Sequence, residues 1–135
     1  MSAWIVGHSD RFRSAVVGAP VTNLSSFYGT SDIGVHFGDR QIGGPRYMIK
    51  EEYDYRSPIT YATRVSSPVL LLHGESDLRC PISQSEEYFV TLKRLGKVVE
   101  FVRFPGQNHG FLRTGNLKMR KEYLTRMLAW LDCYI

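Results

Sequence analysis

Three apolar runs along the chain, each stopped by proline or glycine, predict buried strands of a parallel sheet. They cover residues 12–19, 68–74 and 98–104, and Pro20, Gly74 and Pro105 end them in turn. The middle run, Pro68-Val69-Leu70-Leu71-Leu72-His73-Gly74, has no polar residue before His73, so both of its faces are expected to be covered. Strands separated by helical segments indicate right-handed crossover connections.

Helical periodicity occupies the rest of the readable chain. Residues 2–8 resemble the end of a helix, and short helices are predicted near 45–52 and 57–63. A Ser83-x-x-Glu86 capping box opens a helix that Gly96 ends. The predicted apolar face of this helix comprises Tyr88, Phe89, Leu92 and Leu95. The predicted stripe of the last helix comprises Leu117, Leu124, Met127, Leu128, Leu131 and Ile135. The sequence therefore predicts an α/β fold of about three parallel strands with flanking helices, in one domain over residues 1–135.

Composition excludes several classes of protein. With 43% hydrophobic and 22% charged residues among 135, the chain is not expected to be disordered. No apolar run reaches the ~18 residues of a membrane span, and no signal peptide is recognised, which favours a cytoplasmic protein. A net charge of +4, with its densest basic patch interrupted by Glu122, argues against a nucleic-acid partner. Cys80 and Cys133 are expected to be reduced thiols.

Candidate chemistry lies where two of the strands end. Asp77 follows the second predicted strand and His109 follows the third, and parallel strands deliver such loops to one edge of the sheet. A carboxylate that accepts an imidazole N–H fixes its tautomer and stabilises the imidazolium, so Asp77 would orient His109 as general base and acid. Taken singly, each residue could instead be a turn residue. Their order at consecutive strand ends favours catalysis.

A nucleophile is missing from this pattern, because the sequence contains no G-x-S-x-G turn. Ser31 lies in Gly29-Thr30-Ser31-Asp32-Ile33-Gly34, which is one residue too long, and Ser76 and Ser2 lack the flanking glycines. Cys80 is a minor alternative nucleophile. His73 is expected to pack or to form local hydrogen bonds. His8 and His36 have no partners at metal-ligand spacing, so neither a metal nor a cofactor is predicted.

Four segments carry a resemblance to a known family. Residues 67–82 (Ser-Pro-Val-Leu-Leu-Leu-His-Gly-Glu-Ser-Asp-Leu-Arg-Cys-Pro-Ile) resemble the acid-loop segment of the prolyl oligopeptidase family of serine peptidases, and most of all its acylaminoacyl-peptidase type. Residues 96–110, ending in Asn108-His109-Gly110, resemble the segment of the catalytic histidine. Residues 4–12 resemble the stretch after the nucleophile turn, and residues 27–34 are also similar to the family.

The resemblance implies that Asp77 and His109 are the acid and base of a Ser-Asp-His triad. It also implies that Met1 lies just past the expected serine, so the chain would be the C-terminal part of an α/β-hydrolase catalytic domain without its nucleophile-bearing half. The intact enzyme would hydrolyse peptides or acyl-peptides, and the isolated chain is expected to be inactive.

Two further hypotheses stay open at this point. The chain could be a non-catalytic interaction module, or pseudo-hydrolase half, that self-associates or docks on a partner through the strand at 12–19, whose outer edge would be bare. Alternatively, a separate complementing chain could supply the serine.

Overall fold

The computed structural model describes residues 1–134, and its centre is a three-stranded parallel sheet in the order β1–β2–β3. The strands are β1 (Ala15–Gly18), β2 (Val69–Gly74) and β3 (Val99–Phe104). In register, Val69 of β2 lies opposite Ala15 of β1 and Val99 of β3. The predicted α/β class and parallel pairing are confirmed.

Helices connect and cover the strands. They are α1 (Ser2–Ile5), α2 (Leu24–Thr30), α3 (Gly34–Phe37), α4 (Lys50–Tyr55), α5 (Ser83–Arg94), α6 (Phe111–Thr114) and α7 (Leu117–Tyr134), with a π-helical turn at Gly38–Ile42 and a 3₁₀-helix at Pro58–Arg64. The helices expected near 45–52 and 57–63 thus form with shifted bounds, and α1 is shorter than predicted. Within residues 1–134, no helix has the length and hydropathy needed to cross a bilayer.

Alternation along β2 divides the main core into two layers. Val69 and Leu71 face a cluster that includes Tyr88 and Leu92 of α5. Leu70 and Leu72 face the opposite side, in a second cluster with aromatic residues of the last two helices. All six residues of β2 are buried, as predicted for the central strand of a sheet covered on both faces. A third cluster lies between α2, the π-helical turn and α4.

The first strand is shorter and more exposed than the sequence predicts. Only Val17 is buried in β1, and Phe12, expected to begin the strand, is 46% exposed. β1 is exposed because it lies at the edge of the sheet and, among the described residues, pairs with β2 alone. The prediction of a buried strand over 12–19 is wrong in this respect.

The last helix buries a different face from the predicted one. Its buried residues are Tyr123 and Trp130, which pack against Leu70, Leu72 and Phe104. These two aromatic rings, seven positions apart on the helix, fill the space beside the sheet. The predicted leucines are therefore turned outward: Leu117, Leu124 and Leu128 are exposed, Leu131 is half-buried, and only Met127 of the described stripe packs on this cluster. Ile135 lies outside the described residues.

The predicted capping box of α5 does not form, although the helix does. Ser83 is the first residue within the helix and makes no capping hydrogen bond, because the N-cap position falls on Ile82. Glu86 instead binds Arg103 of β3 at 2.7 Å. The C-terminal stop is as predicted: Gly96 adopts φ +69° and the Lys97 N–H donates to the Leu92 carbonyl.

Candidate active site

Two loops meet at the carboxyl end of the sheet, and a glycine lets them approach. The Asp77 loop (residues 75–80) follows β2, and the His109 loop (residues 105–110) follows β3. A Cβ atom on Gly74 would lie 2.4 Å from the Gln107 carbonyl oxygen, so only glycine allows this separation. The Ser76 N–H donates to that carbonyl at 2.9 Å. The backbone therefore fixes one loop against the other.

Asp77 and His109 form a hydrogen bond across these loops. His109 Nδ1 lies 2.8 Å from Asp77 Oδ2. The other oxygen, Oδ1, accepts the backbone N–H groups of Arg79 at 3.0 Å and Cys80 at 2.8 Å. Asp77 is 3% exposed, whereas the His109 side chain is 44% exposed. The pair thus joins a buried, oriented carboxylate to an imidazole that solvent can reach, and within residues 1–134 no hydrogen bond is made by Nε2 of His109.

A second histidine lies behind the carboxylate. His73, fully buried at the end of β2, is hydrogen-bonded through Nε2 to the Cys80 carbonyl and through Nδ1 to Ser85 Oγ, both at 2.7 Å. Its Nε2 is also 3.4 Å from Asp77 Oδ2. Burial lowers the pKa of His73 below its ordinary value, against the opposing effects of Cys80 and Asp77. The predicted local hydrogen bonding of His73 is confirmed.

An ion pair supports the Asp77 loop from the outside. Arg79 binds both carboxylate oxygens of Asp32, at 2.8 and 3.3 Å, and this hydrogen bonding lowers the pKa of Asp32. Ser31 Oγ donates to the Arg79 carbonyl, and the Asp32 N–H to the Leu78 carbonyl. The Gly29–Gly34 segment therefore positions this loop. No pattern in the sequence links residues 47 positions apart, which is why this contact was not predicted.

The loops border an open cleft of ≈ 350 Å³ beside His109. This volume is within the range of small-ligand sites. Its lining includes Asp32, Arg79 and Arg113, so the walls are polar and carry both signs of charge.

The other candidate nucleophiles do not join this pair. Within residues 1–134, the only side-chain hydrogen bond of His109 is the one to Asp77, so Ser2, Ser31 and Ser76 do not bind its free nitrogen. Burial raises the pKa of the Cys80 thiol to about 12. Cys80 is therefore protonated at neutral pH, which argues against the alternative of a cysteine nucleophile.

The remaining histidines lie elsewhere. His8 stacks on Trp4 with ring centroids 4.1 Å apart, and its Nδ1 is hydrogen-bonded to the Trp4 carbonyl. His36 is exposed on α3. Within the described part of the chain, no three His, Cys, Asp or Glu side chains are grouped as a metal site would need.

Comparison with known proteins assigns the chain to a family. The sequence profile of the prolyl oligopeptidase family matches residues 1–135. The chain belongs to the prolyl oligopeptidase family. An uncharacterized peptidase of Bacillus subtilis, YuxL, is 42% identical over 135 residues, which are all of this chain and 20% of YuxL. The acylamino-acid-releasing enzyme of Rattus norvegicus is 26% identical over 144 residues, covering all of this chain and 19% of that enzyme.

A solved structure agrees with this membership of the prolyl oligopeptidase family. The acylaminoacyl peptidase of Pyrococcus horikoshii superposes with a TM-score of 0.93 at 30% identity, over 98% of this chain and 22% of that one. The fold is therefore that of a portion of an α/β-hydrolase domain of acylaminoacyl-peptidase type, as the sequence resemblance implied. This prolyl oligopeptidase family chain spans about a fifth of the length of the relatives it matches.

Proposed function

We propose that this chain supplies the Asp and His of a Ser-Asp-His triad in a serine-type peptidase that hydrolyses peptides or acyl-peptides. The observation that carries the proposal is the 2.8 Å hydrogen bond between buried Asp77 and exposed His109 at the edge of a cleft. Membership of the prolyl oligopeptidase family supports the reaction class. A structural relative at 31% identity was solved with Z-Gly-Gly-Phe-chloromethyl ketone, a blocked peptide derivative, which supports the substrate class.

In this mechanism the two residues have distinct tasks. His109 Nε2 takes the proton of the attacking serine and returns it to the leaving amine, while Asp77 stays ionised and stabilises the imidazolium. The three hydrogen bonds to the Asp77 carboxylate hold it in place for this task. No cofactor has a part in the scheme. The serine comes from outside the 135 residues, so we expect these residues alone to show negligible peptidase activity.

A chimera provides the test. The 135 residues replace the matching segment of the Bacillus subtilis peptidase, and hydrolysis of an acyl-amino-acid nitroanilide is measured. We expect His109→Gln to lower kcat by at least ~10³-fold and Asp77→Asn by ~10⁴-fold. His36→Gln, at an exposed histidine, serves as the matched control and should leave kcat unchanged. Full activity in the His109→Gln chimera would refute the assignment.

The edge of the sheet favours a second candidate function, that of an interaction module which self-associates or docks on a complementing chain. Ala15 and Ala19 donate their N–H groups toward β2. By the alternation of a parallel strand, the N–H groups of Val16 and Gly18 point away from it. An outward row of such groups is a template for another strand.

Light scattering on the isolated chain tests this second function. It predicts a dimer or larger assembly that Val16→Pro reduces to monomer, since proline removes one outward donor without breaking the β2 pairing. A monodisperse monomer at micromolar concentration would contradict edge pairing. We also propose a cytoplasmic location, which the two free thiols, Cys80 and Cys133, support.

A further inference from the structure

His73 is a buried ionisable group that the proposed reaction does not use. It is fully buried, and its ring lies between the Asp77 loop and α5. The groups that face it are the Asp77 carboxylate, the Cys80 carbonyl and the Ser85 hydroxyl, with His109 beyond the carboxylate.

The hydrogen bonds of His73 define its protonation. A carbonyl oxygen only accepts, so Nε2 must carry a proton to bind Cys80. In the neutral ring Nδ1 is then an acceptor, and Ser85 Oγ donates to it. Full burial lowers the pKa of His73 and keeps this neutral form at pH 7. His73 therefore donates a hydrogen bond beside Asp77 without bringing a positive charge that would neutralise the carboxylate.

The backbone of Cys80 connects His73 to Asp77 through two successive peptide groups. Its N–H donates to Asp77 Oδ1 at 2.8 Å, and its carbonyl accepts from His73 at 2.7 Å. Residues 77–80 thus form a closed turn whose last residue, Cys80, is held through both its N–H and its carbonyl group. Without the hydrogen bond from His73, the Cys80 carbonyl could turn, and the Cys80 N–H would no longer be held toward Asp77 Oδ1. The other carboxylate oxygen, Oδ2, would then lose its orientation toward His109.

We propose that His73 is a positioning residue for the triad: as a neutral donor to the Cys80 carbonyl it locks the backbone of Cys80, whose N–H in turn aims Asp77 Oδ2 at His109 Nδ1. This inference rests on the proposed function, since the carboxylate that His73 helps to position is the proposed acid of the triad. Its effect is on the tautomer of His109, because only a correctly aimed carboxylate holds the proton on Nδ1.

Imidazole nitrogen NMR on the ¹⁵N-histidine-labelled chain tests the proposal. In the unchanged chain at pH 7 we expect His73 as the neutral Nε2–H tautomer, and in the neutral ring of His109 we expect the proton on Nδ1, which faces Asp77. A charged His73, or one protonated on Nδ1, overturns the proposal without any variant being needed.

Two matched variants then separate a lock from simple packing. The amide nitrogen of glutamine reaches the position of Nε2, whereas that of asparagine is too short to do so. In folded His73→Gln we expect His109 to keep its Nδ1–H tautomer. In His73→Asn we expect that tautomer to be lost and hydrogen exchange of the Cys80 amide to rise about tenfold. Retention of both properties in folded His73→Asn, or their loss in folded His73→Gln, overturns the proposal.

The chimera distinguishes this proposal from the proposed function. Unaltered NMR behaviour of His109 in His73→Asn, together with an active chimera, would reject the lock alone. An inactive chimera whose histidines show the expected tautomers would reject the peptidase assignment alone.

Discussion

Adding one methyl group at Gly74 should open the candidate site. The Cβ of Gly74→Ala would lie 2.4 Å from the carbonyl oxygen and 2.9 Å from the carbonyl carbon of Gln107, which are backbone atoms that no rotamer change can move. Relief requires a displacement of about 1 Å between the two loops. Such overpacking costs about 1–3 kcal/mol, and loss of the Ser76–Gln107 hydrogen bond adds about 1 kcal/mol. We expect a total of about 2–4 kcal/mol.

Urea unfolding of the chain measures this cost, and the ¹⁵N tautomer of His109 reports the displacement. Gly29→Ala is the matched control, because nothing lies within 4 Å of its added Cβ and Gly29 is within α2. The control should be neutral or more stable by up to ~1 kcal/mol. Equal midpoints for the two variants, or an unchanged His109 signal in Gly74→Ala, would refute the proposed role of this glycine.

Three further predictions concern the core and the ionisable groups. Trp130→Ala should lower the free energy of unfolding by about 3–5 kcal/mol. Leu128→Ala, which shortens a 56% exposed side chain on the same helix, should lower it by no more than ~0.5 kcal/mol. Urea unfolding measures both losses, and equal losses would contradict the buried face assigned to α7. Because the folded pKa of His73 lies below its unfolded value near 6.5, the unfolded chain binds more protons, so stability should fall as pH drops below ~6.5. His73→Gln should reduce this dependence of the unfolding free energy on pH, measured by urea unfolding at several pH values. An unchanged pH dependence would show that it arises from groups other than His73. Cys133 should react with a thiol reagent in the native chain. Cys80 is buried and its thiol pKa is raised to about 12, so it should react only on unfolding. Equal reaction rates of the two thiols in the native chain would contradict the burial of Cys80.

Local sequence patterns predicted the sheet well. The run at 68–74 is so uniformly apolar that only the middle of a covered sheet satisfies it, and β2 is buried throughout. Turn residues such as Gly96 ended elements where expected, because a positive φ is a local requirement. The positions of Asp77 and His109 followed in turn, since parallel strands deliver their following loops to one edge.

Periodicity alone failed where two faces of an element were both apolar. On α7 the leucines and the aromatic residues form competing stripes, and the space beside Leu70 and Leu72 selected Tyr123 and Trp130. The capping box on α5 does not form because the N-cap position falls on Ile82, and Glu86 binds Arg103 of β3 instead. On α7 the local pattern therefore gave way to packing against residues distant in the sequence.

The sequence by itself determined the α/β class, the strand directions and the edge at which Asp77 and His109 lie, because these depend on patterns within a few residues and on the geometry of parallel strands. Only the tertiary structure decided how the site is held. The fit of Gly74 against Gln107, the pairing of Asp32 with Arg79 and the link from Ser85 through His73 to the Asp77 loop join residues 7 to 47 positions apart. Such contacts follow from the packing of whole elements, and no local periodicity encodes them.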